Sequence, residues 1–283
     1  MINKVTRYLN YLKRMQRVNM SLARGAASAA VRRIDLTRPE TWEFSGFSQN
    51  GEDGIIDVLL SQLTESNRYF IEIGAADGLE NNTTWLAMVK RFGGQWIEGG
   101  EDSSQWCRYI FGSLNYGVEC VSEFITQESI QPLKERSLYN NPDLFSLDID
   151  SNDYFIVDSI LASGMRPKIF VVEYNAVYGP EKVISVPYDT SFFVKPSSPD
   201  NLYYGCSIAA MKKVFDKHGY KFVCVDCNGV NAFFVDPIMF DSAFLENIVG
   251  VEYRENFSNA REYKLPWDEQ FKLIENRKFH YPE

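Results

Sequence analysis

The sequence predicts an α/β protein with a seven-stranded, mostly parallel sheet that ends in an antiparallel hairpin. Short aromatic and β-branched runs alternate with stretches of helical periodicity, which indicates βαβ units. The apolar run 69–73 leads into a turn of small residues bracketed by Gly74 and Gly78. The last two strands are separated only by residues 226–231, a link with an Asn-Gly turn that is too short for a crossover helix and therefore demands a hairpin.

The predicted strands and helices follow from this alternation. Strands are expected at residues 69–73, 95–98, 116–121, 144–148, 169–174, 221–225 and 232–235, and helices at 55–63, 84–91 and 207–218. With 283 residues the chain is long enough for a substantial core. We expect a basic helical N-terminal extension over residues 1–40 and a main domain over 41–283. The tail from about residue 237 is charged and aromatic, and the sequence assigns it no role.

Charge is distributed unevenly along the chain. Residues 1–34 contain eight lysines and arginines, whereas all 38 acidic residues follow them. The acidic body excludes nucleic acid as an expected partner, because affinity for phosphate backbones comes from clustered cations.

The basic N-terminal segment has helical periodicity, with apolar residues at 5, 8, 9, 12 and 15. It fits an arm that contacts an anionic membrane surface or a partner, and equally an ordinary terminal helix or a mobile tail. The sequence contains no apolar run long enough for a transmembrane helix and no signal-peptide h-region. We therefore expect a cytoplasmic protein, with peripheral contact at the inner membrane surface and homo-oligomerisation left open.

The five cysteines include one pair at Cys-x-x-Cys spacing, Cys224 and Cys227. Zinc binding or redox chemistry at this pair would require a second cysteine pair or a nearby histidine. The only histidines of the sequence are His218 and His280. Reduced thiols are the expectation.

The turn after the first strand has the spacing Glu72-x-Gly74-x-x-x-Gly78. This differs from the dinucleotide Gly-x-Gly-x-x-Gly motif and from the phosphate-binding P-loop. The small residues Ala75 and Ala76 and the glycines let a ligand approach the backbone closely. The turn is similar to the first motif of S-adenosylmethionine-dependent methyltransferases, whose class I sheet also ends in an antiparallel hairpin.

Acidic residues follow four of the predicted strands, at the carboxyl edge where open α/β sheets bind ligands. Asp and Asn also cap helices and form turns in any α/β protein, but four clusters at one edge favour a site. A carboxylate after the second strand can accept both hydroxyls of a ribose. The clusters contain Glu72 and Asp77, then Glu98 and Glu101, then Asp148, Asp150, Asn152, Asp153 and Tyr154, and finally Glu173 and Asn175.

Four segments, 47–54, 70–78, 147–154 and 172–175, resemble the FkbM-type methyltransferase family and its Star-like relatives, and residues 204–207 and 229–235 extend the match. The resemblance implies a Rossmann-like class I methyltransferase fold and methylation of hydroxyls of sugars or secondary metabolites. The sequence departs from the family pattern after the second strand, where Gly99-Gly100 replaces a proline turn. Glu101 therefore competes with Glu98 for the role of the ribose-binding carboxylate. The implied cofactor site comprises Glu72, Gly74, Ala75, Asp77, Gly78, Glu98 and Ser122. Asp148, Asp150 and Glu173 are implied at the transfer centre, with Asn152, Asp153, Tyr154 and Asn175 as substrate contacts.

The expected reaction is methyl transfer from S-adenosylmethionine to a sugar hydroxyl. Asp150 or Glu173 serves as general base, or both bind Mg²⁺ or another divalent cation. Two alternatives stay open: a catalytically inactive Star-like binding or trafficking module, and a metal-dependent glycosyltransferase whose Asp-x-Asp motif would be Asp148 and Asp150.

Overall fold

The computed structural model describes residues 2–112 and 114–283, with only the backbone described for residues 2 and 3. Seven strands form one sheet: β1 (Tyr69–Ile73), β2 (Gly93–Glu98), β3 (Val118–Ser122), β4 (Leu144–Leu147), β5 (Ile169–Glu173), β6 (Lys221–Val225) and β7 (Asn231–Val235). The α-helices are α1 (Ile2–Val31), α2 (Glu52–Ser61), α3 (Glu101–Phe111), α4 (Ile130–Arg136), α5 (Asp153–Ala162), α6 (Ile208–Lys217), α7 (Ser242–Asn247), α8 (Phe257–Tyr263) and α9 (Trp267–Lys272).

The strand order is β3-β2-β1-β4-β5-β7-β6. β1 to β5 are parallel to their neighbours, whereas β7 runs antiparallel to both β5 and β6. The chain order reverses between β1 and β4, which makes this pair of strands the point where a ligand crevice is expected. The predicted Rossmann-like α/β fold, a seven-stranded and mostly parallel sheet with a final antiparallel hairpin, is confirmed.

Alternate residues of β1 pack on opposite faces of the sheet. Phe70 belongs to one hydrophobic cluster, together with Trp96 and helix α2. Ile71 and Ile73 belong to a second cluster on the opposite face, which includes residues of α5 and α6. All five β1 residues are buried. A central strand with helices on both faces therefore holds the Gly74 turn at its carboxyl end.

Several predicted bounds shift by a few residues. The helix expected at 84–91 is a π-helix over Leu86–Lys90, which ends at Arg91 with a left-handed φ of 60°. The helix expected at 55–63 starts earlier, at Glu52, because Gly51 with a φ of 95° turns the chain into it. The third strand starts at Val118, since the two residues before it form a turn.

Helix α1 packs along α3 and the start of the main domain. The rings of Tyr11 and Tyr109 lie edge to face at 5.4 Å, and the Arg14 guanidinium lies 4.3 Å from the centre of the Trp106 ring. Val18 is buried, and Gly25 approaches Trp85 so closely that a Cβ would lie 2.4 Å from the ring. Within the described part of the chain, no helix combines the length and apolar character needed to cross a membrane.

The C-terminal tail covers the segment that follows β5. Ile274 and Phe271 pack against Tyr178 in a third hydrophobic cluster. The Tyr178 hydroxyl is buried and donates to the carbonyl of Tyr204 at 2.8 Å. Tyr178 and Phe271 therefore contribute to the packing of the tail on the main sheet domain.

Candidate functional site

The turn after β1 is closed so tightly that its first position requires glycine. Gly74 has a φ of 85°, and a Cβ at this position would lie 1.7 Å from the carbonyl oxygen of Asp148. The Gly74 amide donates to the carbonyl of Ile97 on β2 at 2.9 Å. Gly78, with a φ of 77°, faces the ring of Phe111 and the sulfur of Cys107. The turn is thus fitted between the ends of β4, β2 and α3.

Glu72 points from β1 into a buried polar network. Its carboxylate accepts from the Asn82 amide at 2.8 Å and from the hydroxyl of Thr83, which in turn accepts from the Trp96 indole at 2.7 Å. Burial raises the pKa of Glu72 to about 7. The network anchors the chain after the glycine turn to the strand before it.

Glu98 joins the turns after β1 and β2. One carboxylate oxygen accepts from the Ala76 amide at 2.8 Å and the other from the Gly100 amide at 2.6 Å. Glu101 begins α3, and its carboxylate accepts from the Gln105 side chain. Ser122 is exposed and aligned with Glu98 across the β2–β3 pair. Since Glu98 has a structural task here, its presence alone is not a sign of catalysis.

Three carboxylates converge at the ends of β4 and β5. Asp148, Asp150 and Glu173 each place one oxygen so that all three lie within 4.8 Å of one another. Burial and the charges of Asp148 and Asp150 raise the pKa of Glu173 well above its ordinary value. Desolvation also raises the pKa of Asp148 and Asp150, and the charge of Asp150 adds to the effect on Asp148. Such a group either retains protons or binds a cation.

The side chains next to this carboxylate cluster, which the sequence predicts as substrate contacts, form hydrogen bonds to the backbone of loops. Asp153 is fully buried and accepts from the Ile149 and Ser151 amides at 3.1 and 2.9 Å. Asn152 exchanges hydrogen bonds with the backbone of Asp189. Asn175 donates to the carbonyls of Leu202 and Tyr204 and accepts from the Val177 amide.

Tyr154, also predicted as a substrate contact, lies among aromatic side chains. Its ring packs against Phe155 at 5.3 Å and His280 at 5.8 Å. The ring thus joins α5 to the C-terminal tail. The role of Tyr154, Asn152, Asp153 and Asn175 as substrate contacts stays a prediction.

The structure brings Glu52 and Asn231 to the same cleft, and the sequence did not select either as a site residue. Glu52 is buried at the start of α2, and its carboxylate accepts from the Asn50 amide and from the Asn231 side chain at 2.8 Å. Asn231 pairs with Glu173 across the β5–β7 register. The sequence did contain a signal for both residues, because they lie in segments that resemble the FkbM-type family, 47–54 and 229–235.

Asp53, the next residue of that segment, shapes the turn before α2. One of its oxygens accepts from three consecutive amides, those of Gly46, Phe47 and Ser48, at 2.7 to 2.9 Å. Burial raises its pKa to about 7. Asp53 therefore positions the residues that form one wall of the cleft.

Two adjoining cavities lie at this edge of the sheet. The smaller, of about 70 Å³, is lined by Glu52, Glu72, Gly74 and Asp148 together with five amide side chains. The larger, of about 500 Å³, lies under α1 and shares Gln49 and Glu80 with the first. A drug-sized ligand needs roughly 300–1,000 Å³, so only the larger cavity has that capacity as it stands.

Helix α1 reaches the glycine turn through two ion pairs. The Arg14 Nε atom lies 3.1 Å from a carboxylate oxygen of Asp77, and Arg17 pairs with Glu80. Asp77 also accepts from the Leu79 amide at 3.2 Å. The basic N-terminal segment thus neutralises part of the acidic edge.

No protein-family model and no curated protein matches this sequence. Among solved structures, an O-methyltransferase from Bacillus cereus in complex with SAH is 15% identical, over 77% of this chain and 89% of that one, with a TM-score of 0.43. The O-methyltransferase TomG from Streptomyces achromogenes, involved in tomaymycin synthesis and in complex with SAM, is also 15% identical, over 76% and 87%, with a TM-score of 0.43. A putative O-methyltransferase from Klebsiella pneumoniae is 15% identical, over 77% and 87%, with a TM-score of 0.42.

Proposed function

We propose that this protein is an S-adenosylmethionine-dependent O-methyltransferase of the FkbM type. Its acceptor would be a hydroxyl group of a sugar in a polysaccharide, glycolipid or nucleotide-sugar precursor. The supporting observation is that the glycine turn lies against the backbone of Asp148, the first residue of the carboxylate cluster: the Asp148 carbonyl oxygen lies 1.7 Å from the Cβ position of Gly74, and both residues line the same cleft. A cofactor seated on the turn would hold its methyl group beside the carboxylates.

In this proposal the cofactor lies against the turn of Gly74, Ala75 and Gly78, in which Gly74 is partly exposed and the other two residues are buried. Glu98 binds the ribose, because each carboxylate oxygen has a second lone pair beyond the one that accepts an amide. The 70 Å³ cleft is too small for a nucleoside, so binding requires the turn or α1 to shift and join the two cavities. The ion pairs from Arg14 and Arg17 are the contacts that such a shift would break.

The carboxylate cluster would activate the acceptor. S-adenosylmethionine supplies an electrophilic methyl group, and its transfer is an in-line displacement that depends on positioning. Asp150, the most exposed of the three, would take the proton of the acceptor hydroxyl as the C–O bond to the methyl group forms and the C–S bond to the sulfonium breaks. Glu173 and Asp148 hold Asp150 in place and, with it, offer three hard oxygen ligands to Mg²⁺ or another divalent cation. A bound cation would lower the pKa of the acceptor hydroxyl.

The outer face of α1 supports a further part of the proposal, peripheral contact with an anionic membrane. Val5, Leu9 and Leu12 are more than 40% exposed, and Lys4 and Lys13 lie on the exposed side with them. Apolar and basic side chains on one helix favour the surface of an anionic bilayer.

Sedimentation with vesicles of phosphatidylglycerol, compared with phosphatidylcholine, tests this contact. Replacing Lys4 and Lys13 by glutamate should abolish binding to the anionic vesicles, whereas Lys278→Glu, on an exposed part of the tail, should leave it unchanged. Equal binding by all three proteins would contradict the proposal.

A thermal-shift comparison tests the choice of cofactor. S-adenosylhomocysteine at one hundred times its dissociation constant should stabilise the fold by about 2.7 kcal/mol, and UDP-glucose and GDP-mannose should have no effect. Stabilisation by a nucleotide sugar alone would favour a glycosyltransferase. No response to any of them would favour a non-catalytic module.

The proposed base is tested with labelled S-adenosylmethionine and a panel of polysaccharide and lipopolysaccharide precursors. Asp150→Asn should lose turnover and keep its affinity for S-adenosylhomocysteine. Asp158→Asn is the matched control, because Asp158 lies on α5 and pairs with Lys217 and His218 away from the cluster. Near-normal turnover by Asp150→Asn would refute the assignment.

A further inference from the structure

The cysteines that approach each other are not the pair that the sequence spacing selected. Cys224 is buried on β6, and Cys227 is exposed, with its sulfur 3.6 Å from the carbonyl oxygen of Asn50. By contrast, the sulfur of Cys107 on α3 lies 3.7 Å from the sulfur of Cys120 on β3. Both of these cysteines are free thiols. They lie 13 residues apart and belong to neighbouring elements, so the spacing carries no recognisable motif.

The two sulfurs differ in their surroundings. Cys107 is 1% exposed, whereas Cys120 is partly exposed at the edge strand of the sheet. The guanidinium of Arg108 donates to the Cys120 carbonyl at 3.0 Å and brings a positive charge close to that residue. The hydrogen bond between the two thiols, with the charge of Arg108, lowers the pKa of Cys120. The same hydrogen bond and burial raise the pKa of Cys107. One thiol is thus accessible and nucleophilic, and the other is buried behind it.

We propose that Cys120 and Cys107 form a redox-active pair in which a peroxide oxidises Cys120 and Cys107 then closes a disulfide. In the first step the Cys120 thiolate attacks hydrogen peroxide: an S–O bond forms, the O–O bond breaks, and the departing hydroxide is protonated to water. In the second step Cys107 loses its proton and attacks the Cys120 sulfur: the S–S bond forms, the S–O bond breaks, and hydroxide leaves with that proton as a second water. Two thiols lose two electrons, and the peroxide gains them.

The pair lies directly under the glycine turn. The Cys107 sulfur is 3.3 Å from the Cβ position of Gly78, and Phe111, one helical turn further along α3, contacts the same position. A disulfide has a sulfur–sulfur distance of about 2.05 Å, so closure requires α3 and β3 to approach each other. Oxidation therefore alters the contact between α3 and the turn, and it does so whether or not the turn binds a cofactor.

Peptide mapping of the full-length protein tests the proposal without any variant. Trypsin cleaves after Arg108 and separates the two cysteines into peptides 92–108 and 109–134. After treatment of the reduced protein with stoichiometric hydrogen peroxide, a non-reducing digest should contain these two peptides joined, with the mass of two hydrogen atoms lost. Separate peptides, with Cys120 either unmodified or carried on to sulfinic acid, would overturn the proposal.

Variants identify the order of attack. Cys107→Ser should accumulate a sulfenic acid at Cys120 that dimedone traps, and Cys120→Ser should leave Cys107 unlabelled. Cys227→Ser is the matched control: Cys227 is more exposed, but burial and a hydrogen bond to Glu43 raise its pKa to about 12. This control should form the joined peptides at the wild-type rate. Preferential dimedone labelling of Cys227 in the wild-type protein would contradict the proposal.

Discussion

Replacing Gly74 by alanine tests the contact between the turn after β1 and the end of β4. The change has two costs. Alanine at a left-handed φ costs about 1–2 kcal/mol. A Cβ would also lie 1.7 Å from the carbonyl oxygen of Asp148, which must move together with its strand end. Overpacking of this kind costs about 1–3 kcal/mol. The free energy of unfolding should therefore fall by about 2–5 kcal/mol in total.

Gly164 provides a matched control for the backbone cost. Its φ of 83° nearly equals the 85° of Gly74, but the nearest atom to its Cβ position is the Lys134 ammonium nitrogen at 3.5 Å, an ordinary contact. Gly164→Ala should therefore lose only the backbone contribution, about 1–2 kcal/mol. The difference between the two variants, about 1–3 kcal/mol, isolates the contact with Asp148.

Urea unfolding followed by tryptophan fluorescence measures both variants, since the chain has five tryptophans. The transition midpoint should fall further in Gly74→Ala than in Gly164→Ala, with the slope of the transition unchanged. Equal losses in the two variants would show that the Asp148 carbonyl does not close over the turn. The proposed contact between the glycine turn and the first residue of the carboxylate cluster would then be refuted.

Three further predictions follow from the site. Burial raises the pKa of Glu72 from 4.5 to about 7, so between these pH values the folded protein keeps a proton that the unfolded chain releases. As the pH rises from 4.5 to 7, this group therefore lowers the free energy of unfolding by about 3 kcal/mol. Glu72→Gln should flatten that dependence in unfolding titrations, and an unchanged pH dependence would contradict it. Titration with Mg²⁺ or Mn²⁺ should raise the melting temperature of the wild-type protein but not of Glu173→Gln, and an equal rise in both would contradict a site at the cluster. Arg14→Ala should destabilise the protein more than Arg17→Ala, because Arg14 is less exposed and also contacts the Trp106 ring. Each ion pair contributes at most about 1 kcal/mol to the free energy of unfolding. The reverse order of stability in urea unfolding would contradict the packing of α1.

The sequence was most informative about the sheet. Strands β1 and β6 have the predicted bounds because aromatic and β-branched residues form short runs there, fully buried in β1 and buried over the last three residues of β6. The hairpin of β6 and β7 was predicted from its short linker. The sequence placed Asp148, Asp150 and Glu173 at one carboxyl edge, and the family resemblance implied that they share a centre; the pairing of β4 with β5 brings them together in the structure.

The sequence was less informative about what each polar side chain does. Asp153 and Asn175 lie near the site as expected, but their oxygen and nitrogen atoms are taken by the backbone. Spacing indicates which side chains reach an edge of the sheet, whereas their hydrogen-bond partners depend on loops that come from distant parts of the chain. Glu52 reaches the cleft for the same kind of reason, because α2 packs against the sheet and brings it to Asn231.

The presence of Glu98 shows how a structural role changes an inference. A carboxylate at the end of β2 suggested a ribose site, because it can accept both hydroxyls of a ribose. In the structure both of its oxygens accept backbone amides and tie two turns together. Binding to the glycine turn, and not the retention of Glu98, is therefore the property that distinguishes an enzyme from a non-catalytic module.

Calorimetric titration with S-adenosylhomocysteine tests that property most directly. The wild-type protein and Gly164→Ala should each bind one equivalent with the same dissociation constant. Gly74→Ala, measured under conditions in which it remains folded, should bind at least tenfold more weakly, because its turn cannot close beside Asp148. No binding by the wild-type protein, or equal affinity in all three proteins, would contradict a cofactor site at this turn.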